Sequence, residues 1–262
     1  MQLSVNGSDT FVATGGREFD TSLPTVVFLH GAGFDRTTWR LQTRWFAHHG
    51  RSVLALDFPG HGRSPGTPLA SIPALADWTA KFITAAGLKD AALVGHSMGA
   101  LVALDAAARH PGKVRALGLC GVATEMPVHP EMLESAKANT LKVEELMTFW
   151  GIGQALHKGG MVSPGLWLRR ESLAVLAGNR PDVIHADLAA CNAYKDALAR
   201  APEIKCPTVL VLGDGDLMTP AAKAKPLAAA IVGAKTVVVP NAGHFMMVER
   251  PDETLEGLKA CV

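Results

Sequence analysis

An apolar run, Ala91-Ala92-Leu93-Val94, leads directly into Gly95-His96-Ser97-Met98-Gly99, and a small-residue stretch, Ala100-Leu101-Val102-Ala103-Leu104, follows at once. That order predicts a strand, a sharp turn and a helix. A G-x-S-x-G segment alone occurs by chance. Between such a strand and such a helix it reads as a nucleophile elbow, with the serine hydroxyl pushed out on a strained turn. Gly95 and Gly99 carry no Cβ, so strand and helix can pass close together. The helix starting near Met98 points its positive end at the serine, where an anion would be stabilised.

The rest of the chain repeats the pattern. Strand-like segments occur at residues 3–6, 10–14, 26–29, 53–56, 91–94, 114–119, 208–212 and 236–239. The last six are rich in Val and Leu and almost free of charge, as strands buried on both faces should be. Helical patterns fall between them at 38–49, 74–87, 98–110, 221–231 and 252–259. This alternation predicts an α/β protein with a mostly parallel eight-stranded sheet and helices on both faces. It breaks once, over residues 124–204, which show no clear strand. Amphipathic helices are expected there at 131–138, 143–151, 166–177 and 181–195, punctuated by Gly159-Gly160 and Pro164-Gly165. The expected organisation is a core of 1–123 and 205–262 with a helical lid of 124–204 over one end of the sheet.

Charge narrows the partners. The 262 residues carry 25 Lys plus Arg against 24 Asp plus Glu, a net charge of +1. Such a balance leaves no electrostatic footprint for nucleic acid or an anionic membrane, so a small molecule is the expected partner. Cys120, Cys191, Cys206 and Cys261 form no C-x-x-C pair and no zinc spacing, and read as small buried hydrophobes. The N-terminal residues show no signal-peptide pattern, and no apolar run reaches membrane-spanning length. The expectation is a soluble cytoplasmic protein, monomer or homodimer, without metal or organic cofactor.

A serine hydroxyl needs a base within hydrogen-bond reach and a third group to orient that base. In this topology the order is Ser, then Asp or Glu, then His. The strand-like Val209-Leu210-Val211-Leu212 is followed by Gly213-Asp214-Gly215-Asp216, and Val237-Val238-Val239 by Pro240-Asn241-Ala242-Gly243-His244. Polar groups at the carboxyl ends of parallel strands converge on one rim. Ser97 and His244 are thus candidate nucleophile and base, with Asp214 or Asp216 as the acid.

Together with His30-Gly31-Ala32-Gly33, Trp39, Asp57-Phe58-Pro59-Gly60-His61-Gly62-Arg63-Ser64, Pro220 and Glu249-Arg250-Pro251, these segments make the chain resemble the α/β-hydrolase superfamily. The match covers nearly everything outside 124–204 and is nearest to small bacterial esterases, enol-lactonases and carbon–carbon bond hydrolases. The resemblance implies Asp216 as the acid, with Asp214 as the alternative. It also implies an oxyanion hole from the backbone N–H groups of Met98 and Ala32. His30, His61 and His96 then read as packing or loop-orienting residues. His129, His157 and His185 lie in the insertion and read as ordinary structural residues, with a substrate contact as the alternative.

The insertion holds Met126, Met132, Met147, Met161, Trp150 and Trp167, which suit either ordinary helix cores or an apolar acyl pocket. Arg169-Arg170 reads as a solvated helix face, with a bidentate carboxylate site as the alternative. The expected function is hydrolysis of a small carboxylic ester or lactone through an acyl-enzyme. The alternatives are a carbon–carbon bond hydrolase, a cofactor-free haloperoxidase, or a ligand receptor that keeps the triad. Epoxide hydrolases and haloalkane dehalogenases place an aspartate where Ser97 stands.

Overall fold

The computed structural model describes residues 1–157 and 167–262. Its strands are β1 (Gln2–Val5), β2 (Ser8–Ala13), β3 (Thr25–Leu29), β4 (Ser52–Leu56), β5 (Ala91–His96), β6 (Val114–Cys120), β7 (Thr208–Gly213) and β8 (Lys235–Val239). They form one sheet in the order β1-β2-β4-β3-β5-β6-β7-β8. β1 and β2 pair antiparallel, β2 joins β4 antiparallel, and every other pairing is parallel. β3, β4, β5 and β7 are buried along their whole length, which accounts for their uninterrupted apolar runs.

The helices of the core are α1 (Arg40–His48), α2 (Ile72–Ala85) and α3 (Met98–Arg109). The segment between β6 and β7 holds α4 (Pro130–Lys137), α5 (Lys142–Gly151), α6 (Leu168–Ala177), α7 (Val183–Ala193) and α8 (Ala197–Arg200), with no strand among the described residues. α9 (Ala221–Ala230), α10 (Met246–Glu249) and α11 (Pro251–Lys259) complete the fold. α2, α3, α8 and α9 pack in succession along one face of the sheet, while α1, α10 and α11 pack together on the other. Among the described residues no helix is long and apolar enough to cross a membrane.

The element boundaries depart from the sequence expectation at places with local causes. The first turn of the helix expected over 38–49 is a tight 3-10 turn, Arg36–Trp39, capped by Asp35, whose carboxylate accepts the Thr37 N–H at 2.8 Å. α7 starts at Val183, later than expected, because Asp182 is left-handed with φ 67°. Its N–H and carboxylate are engaged by the Asn139 side chain. The helix stops at Ala193 because Tyr194 turns extended and donates its hydroxyl to Asp105 on α3 at 2.8 Å. Gly159-Gly160, Met161, Pro164-Gly165 and residue 166 lie outside the described residues.

The parallel strands leave their carboxyl ends on one rim, and the chain reverses its winding between β3 and β5. That switch point is where an open α/β sheet has its crevice. Leu29 pairs with Gly95, so the residues after β3 run beside those after β5. Buried Trp39 secures this end of β3 by donating its indole N–H to the Leu29 carbonyl at 3.1 Å. α3 approaches so closely that a Cβ on Gly99 would strike the Leu29 and His30 carbonyl oxygens. A Cβ on Gly95 would strike the Gly99 carbonyl. Gly99→Ala is expected to destabilise the fold by about 1–3 kcal/mol or more, because backbone cannot yield as a flexible side chain can. A urea midpoint equal to wild type would refute the role of that contact.

Candidate active site

Ser97 is the turn residue between β5 and α3, with φ 52° and ψ −115°. A non-glycine residue in that region costs on the order of 1–3 kcal/mol and persists only where its surroundings enforce it. Here they do so through the Ser97 N–H, which donates to the Cys120 carbonyl of β6 at 2.9 Å, and through the two glycines that let strand and helix touch.

His244 sits on the loop after β8 and is buried. Its Nδ1–H donates to Asp216 Oδ2 at 2.8 Å. Asp216, just beyond β7, is held by four contacts. Oδ1 accepts the Met218 and Thr219 N–H groups, each at 2.8 Å, and Oδ2 accepts the Thr219 hydroxyl at 2.7 Å as well as His244. Burial by itself would raise the Asp216 pKa. The charge and hydrogen bond of His244, with the Thr219 bonds, outweigh it and hold the carboxyl at about 2. Asp214 is exposed, and among the described residues its carboxylate accepts only the Ala242 N–H, at 3.3 Å. The two acids that look alike in sequence are therefore separated by geometry.

With Nδ1 committed to a carboxylate, the lone pair of His244 lies on Nε2. That atom is buried, has no hydrogen-bond partner among the described residues, and belongs to a ring that lines the same cavity as Ser97. Neither the Ala32 N–H nor the Met98 N–H donates a hydrogen bond among the described residues. Ala32 lines the cavity, and Gly31 beside it runs so close to Ser97 that an added Cβ would lie 3.3 Å from the serine Cβ.

The histidine loop is braced by a residue whose role the sequence reading did not single out. Glu249 on α10 is fully buried, and its carboxylate accepts the N–H groups of Gly243 at 2.8 Å, Gly153 at 3.0 Å and Phe245 at 3.1 Å. Burial pushes its pKa up, and these three N–H groups pull the other way. The His244 N–H donates to the Gly151 carbonyl at the end of α5 at 2.7 Å, so the insertion grips the loop too. His96 donates Nε2–H to the His244 carbonyl at 2.9 Å, and burial, then the nearby His244, keeps its ring neutral. His30 is pushed down to about 4 by burial and then by neighbouring His61, and accepts the Phe58 N–H at 3.1 Å. Glu249 stood in the sequence reading only as part of a matching segment, and Thr219 escaped it. The only signal was its place before Pro220.

The cavity has a volume of about 150 Å³ and is partly open to solvent. Met126, Met132, Met147 and Trp150 of the insertion line it with Phe34 and Phe245. His129 also lines it, its ring edge-on to Trp150 at 5.4 Å. Trp167 is more than half exposed, at 55%, and lies outside the lining, as do Arg169 and Arg170. Among the described residues no Lys, Arg, Asp or Glu lines the cavity, and no three His, Cys, Asp or Glu side chains gather as metal ligands. Cys191 lines it as a buried thiol, its pKa pushed up by burial and then by Asp187.

The sequence model of the alpha/beta hydrolase family matches residues 26–256. The chain belongs to this family. It is 30% identical over 247 residues to a pimeloyl-[acyl-carrier protein] methyl ester esterase of Chromobacterium violaceum, covering 90% of this chain and 92% of that one. It is 24% identical over 266 residues to the (E)-2-((N-methylformamido)methylene)succinate hydrolase of Acinetobacter baylyi, covering 99% and 96%. The fold is similar to that of the enol-lactonase from Burkholderia xenovorans, with a TM-score of 0.88, 22% identity and coverage of 99% and 98%. This hydrolase thus has the fold its sequence resemblance implied.

The depressed Asp216 pKa has a defined sign. Its stabilising contribution is fully present above the unfolded value near 3.8 and is lost as pH falls through about 2. The stability difference between wild type and Asp216→Asn should therefore shrink between about pH 4 and pH 2. Urea titrations across that window check it, and a pH-independent difference would refute it.

Proposed function

We propose that this chain is a serine hydrolase that cleaves a small, uncharged carboxylic ester or lactone through an acyl-enzyme on Ser97. The observation that carries the reading is a strained elbow serine that lines the same cavity as a buried histidine, whose Nδ1 is fixed by Asp216 and whose Nε2 has no partner among the described residues. In this reading His244 Nε2 takes the Ser97 proton as Oγ attacks the carbonyl carbon. Asp216 keeps the ring in the right tautomer and stabilises the imidazolium. The Met98 and Ala32 N–H groups take the oxyanion, and the positive end of α3 adds to them. His244 then protonates the leaving alcohol and activates the water that releases the acid.

Residues 124–204 act as a cap over the cavity in this scheme, flanked by the core of 1–123 and 205–262. The cavity lining argues for the substrate class. A carboxylate-bearing acyl group would be desolvated there without a cationic partner among the described residues, which is costly. The relative named for a succinate derivative thus points away from this chain's own substrate. The relative named for a methyl ester of an acyl group is the better guide, because Met and aromatic side chains suit an alkyl chain.

Ser97→Ala is expected to lower turnover of p-nitrophenyl esters by about 10⁴-fold or more in a folded protein. Asp216→Asn should cost about as much, while Asp214→Asn changes kcat by no more than about threefold. The reverse ranking would move the acid to Asp214. Activity should rise with acyl length from acetate to a medium-chain optimum. The p-nitrophenyl monoester of succinate should have a kcat/KM at least about tenfold below that of the butyrate ester. Equal use of the two would refute the uncharged-substrate reading.

A further inference from the structure

The segment between β6 and β7 holds the oxyanion loop from behind as well as roofing the cavity. Gly33 follows Ala32 directly, and both of its backbone groups are engaged by that segment. Its N–H donates to Asp187 Oδ2 on α7 at 2.8 Å, and its carbonyl accepts the Asn179 side-chain N–H at 2.6 Å. Gly33 has φ 68°, which disfavours any side chain, and a Cβ there would also press on the Leu176 and Ile184 side chains at 2.9 Å and 3.0 Å.

Asp187 is 1% exposed. The same Oδ2 accepts Nε2–H of buried His61 at 2.7 Å, while His61 Nδ1 faces the Pro59 carbonyl at 3.1 Å. Both neighbours only accept, so the His61 ring carries two protons and Asp187 is its counter-charge. Burial alone would push His61 down, and Asp187 holds it above its usual value. An apolar pair would fill the same space at a lower desolvation cost. What the carboxylate adds is a directional hold on one peptide, 154 residues away in the chain. With the Gly33 N–H and C=O both pinned, the Ala32 N–H one peptide earlier has little room to swing.

We propose that Asp187, together with Asn179, is a positioning residue for the reaction, aiming the Ala32 N–H at the oxyanion through Gly33. The proposal rests on the reading of Ala32 and Met98 as the oxyanion donors. Asp187 is not part of the cavity lining. Its effect therefore falls on kcat and leaves KM in place, and the cap contributes to transition-state stabilisation as well as to substrate binding.

The test uses wild type, Asp187→Ala, Asp187→Asn and Asn179→Ala. Each is assayed with p-nitrophenyl butyrate and with an aryl trifluoromethyl ketone. The ketone accepts the Ser97 oxygen at its carbonyl carbon, the serine proton goes to His244, and the ketone oxygen becomes the oxyanion. Asp187→Ala should lower kcat about ten- to a hundredfold with KM within about threefold, and weaken ketone inhibition by a similar factor. Asp187→Asn keeps an acceptor for Gly33 and should recover part of the loss. Asn179→Ala leaves the His61 pair intact. It should show the same parallel loss on a smaller scale, which keeps the test open if Asp187→Ala does not fold. Wild-type kcat in folded Asp187→Asn and Asn179→Ala would overturn the proposal. So would a fall in kcat with unchanged ketone inhibition, since the effect would then bypass the oxyanion site. Failure of the underlying reading looks different, because Ser97→Ala would keep its turnover and wild type would ignore the ketone, and this overturns both.

Discussion

The close passage of α3 against β5 and β3 is the constraint on which the rest of the molecule depends. Gly95 and Gly99 let three backbones meet where any side chain would collide with a carbonyl oxygen. That contact holds Ser97 at positive φ and sets the start of α3 behind it. Strain at one residue is a small cost against the burial of β3 and β5 along their whole length. The elbow is thus enforced by the core.

Buried carboxylates organise the loops around it. Asp216 holds the ring of His244, Glu249 holds the backbone on either side of His244, and Asp187 holds Gly33. Each is buried, and each accepts at least one donor from a segment distant in sequence: His244 for Asp216, Gly153 for Glu249, and Gly33 and His61 for Asp187. Backbone N–H groups suit this task because they are directional donors and their bonds to an ionised carboxylate are short and strong. The same bonds tie the helical insertion to the rim, through Gly153 on one side and Asp187 with Asn179 on the other. The segment between β6 and β7 and the loops at the rim are therefore hydrogen-bonded to one another.

The sheet was legible because its determinants are local. A buried parallel strand must be a short apolar run, as β3, β4, β5 and β7 are, and all eight strands lie within two residues of the segments expected from sequence, although β8 is largely exposed. Boundaries were less legible where a partner from elsewhere decides them. α7 ends where Tyr194 leaves the helix to reach Asp105, and no pattern near Tyr194 announces a carboxylate 89 residues earlier. The short α8 and α10 escaped for a related reason, since four residues are too few to show a helical period.

The sequence by itself determined the α/β architecture, the position of Ser97 on its elbow, and the loops carrying His244 and two neighbouring acids. Period, glycine placement and strand ends are all properties of short segments. The residue pattern left Asp216 and Asp214 alike and the family resemblance favoured Asp216; the tertiary structure gives the physical difference, one buried against His244 and Thr219 and the other exposed. It alone paired Asp187 with His61 and Gly33, and Glu249 with Gly153. These are charges in low-dielectric surroundings whose partners lie 96 to 154 residues away, and a partner at that distance is chosen by the packing of the whole chain.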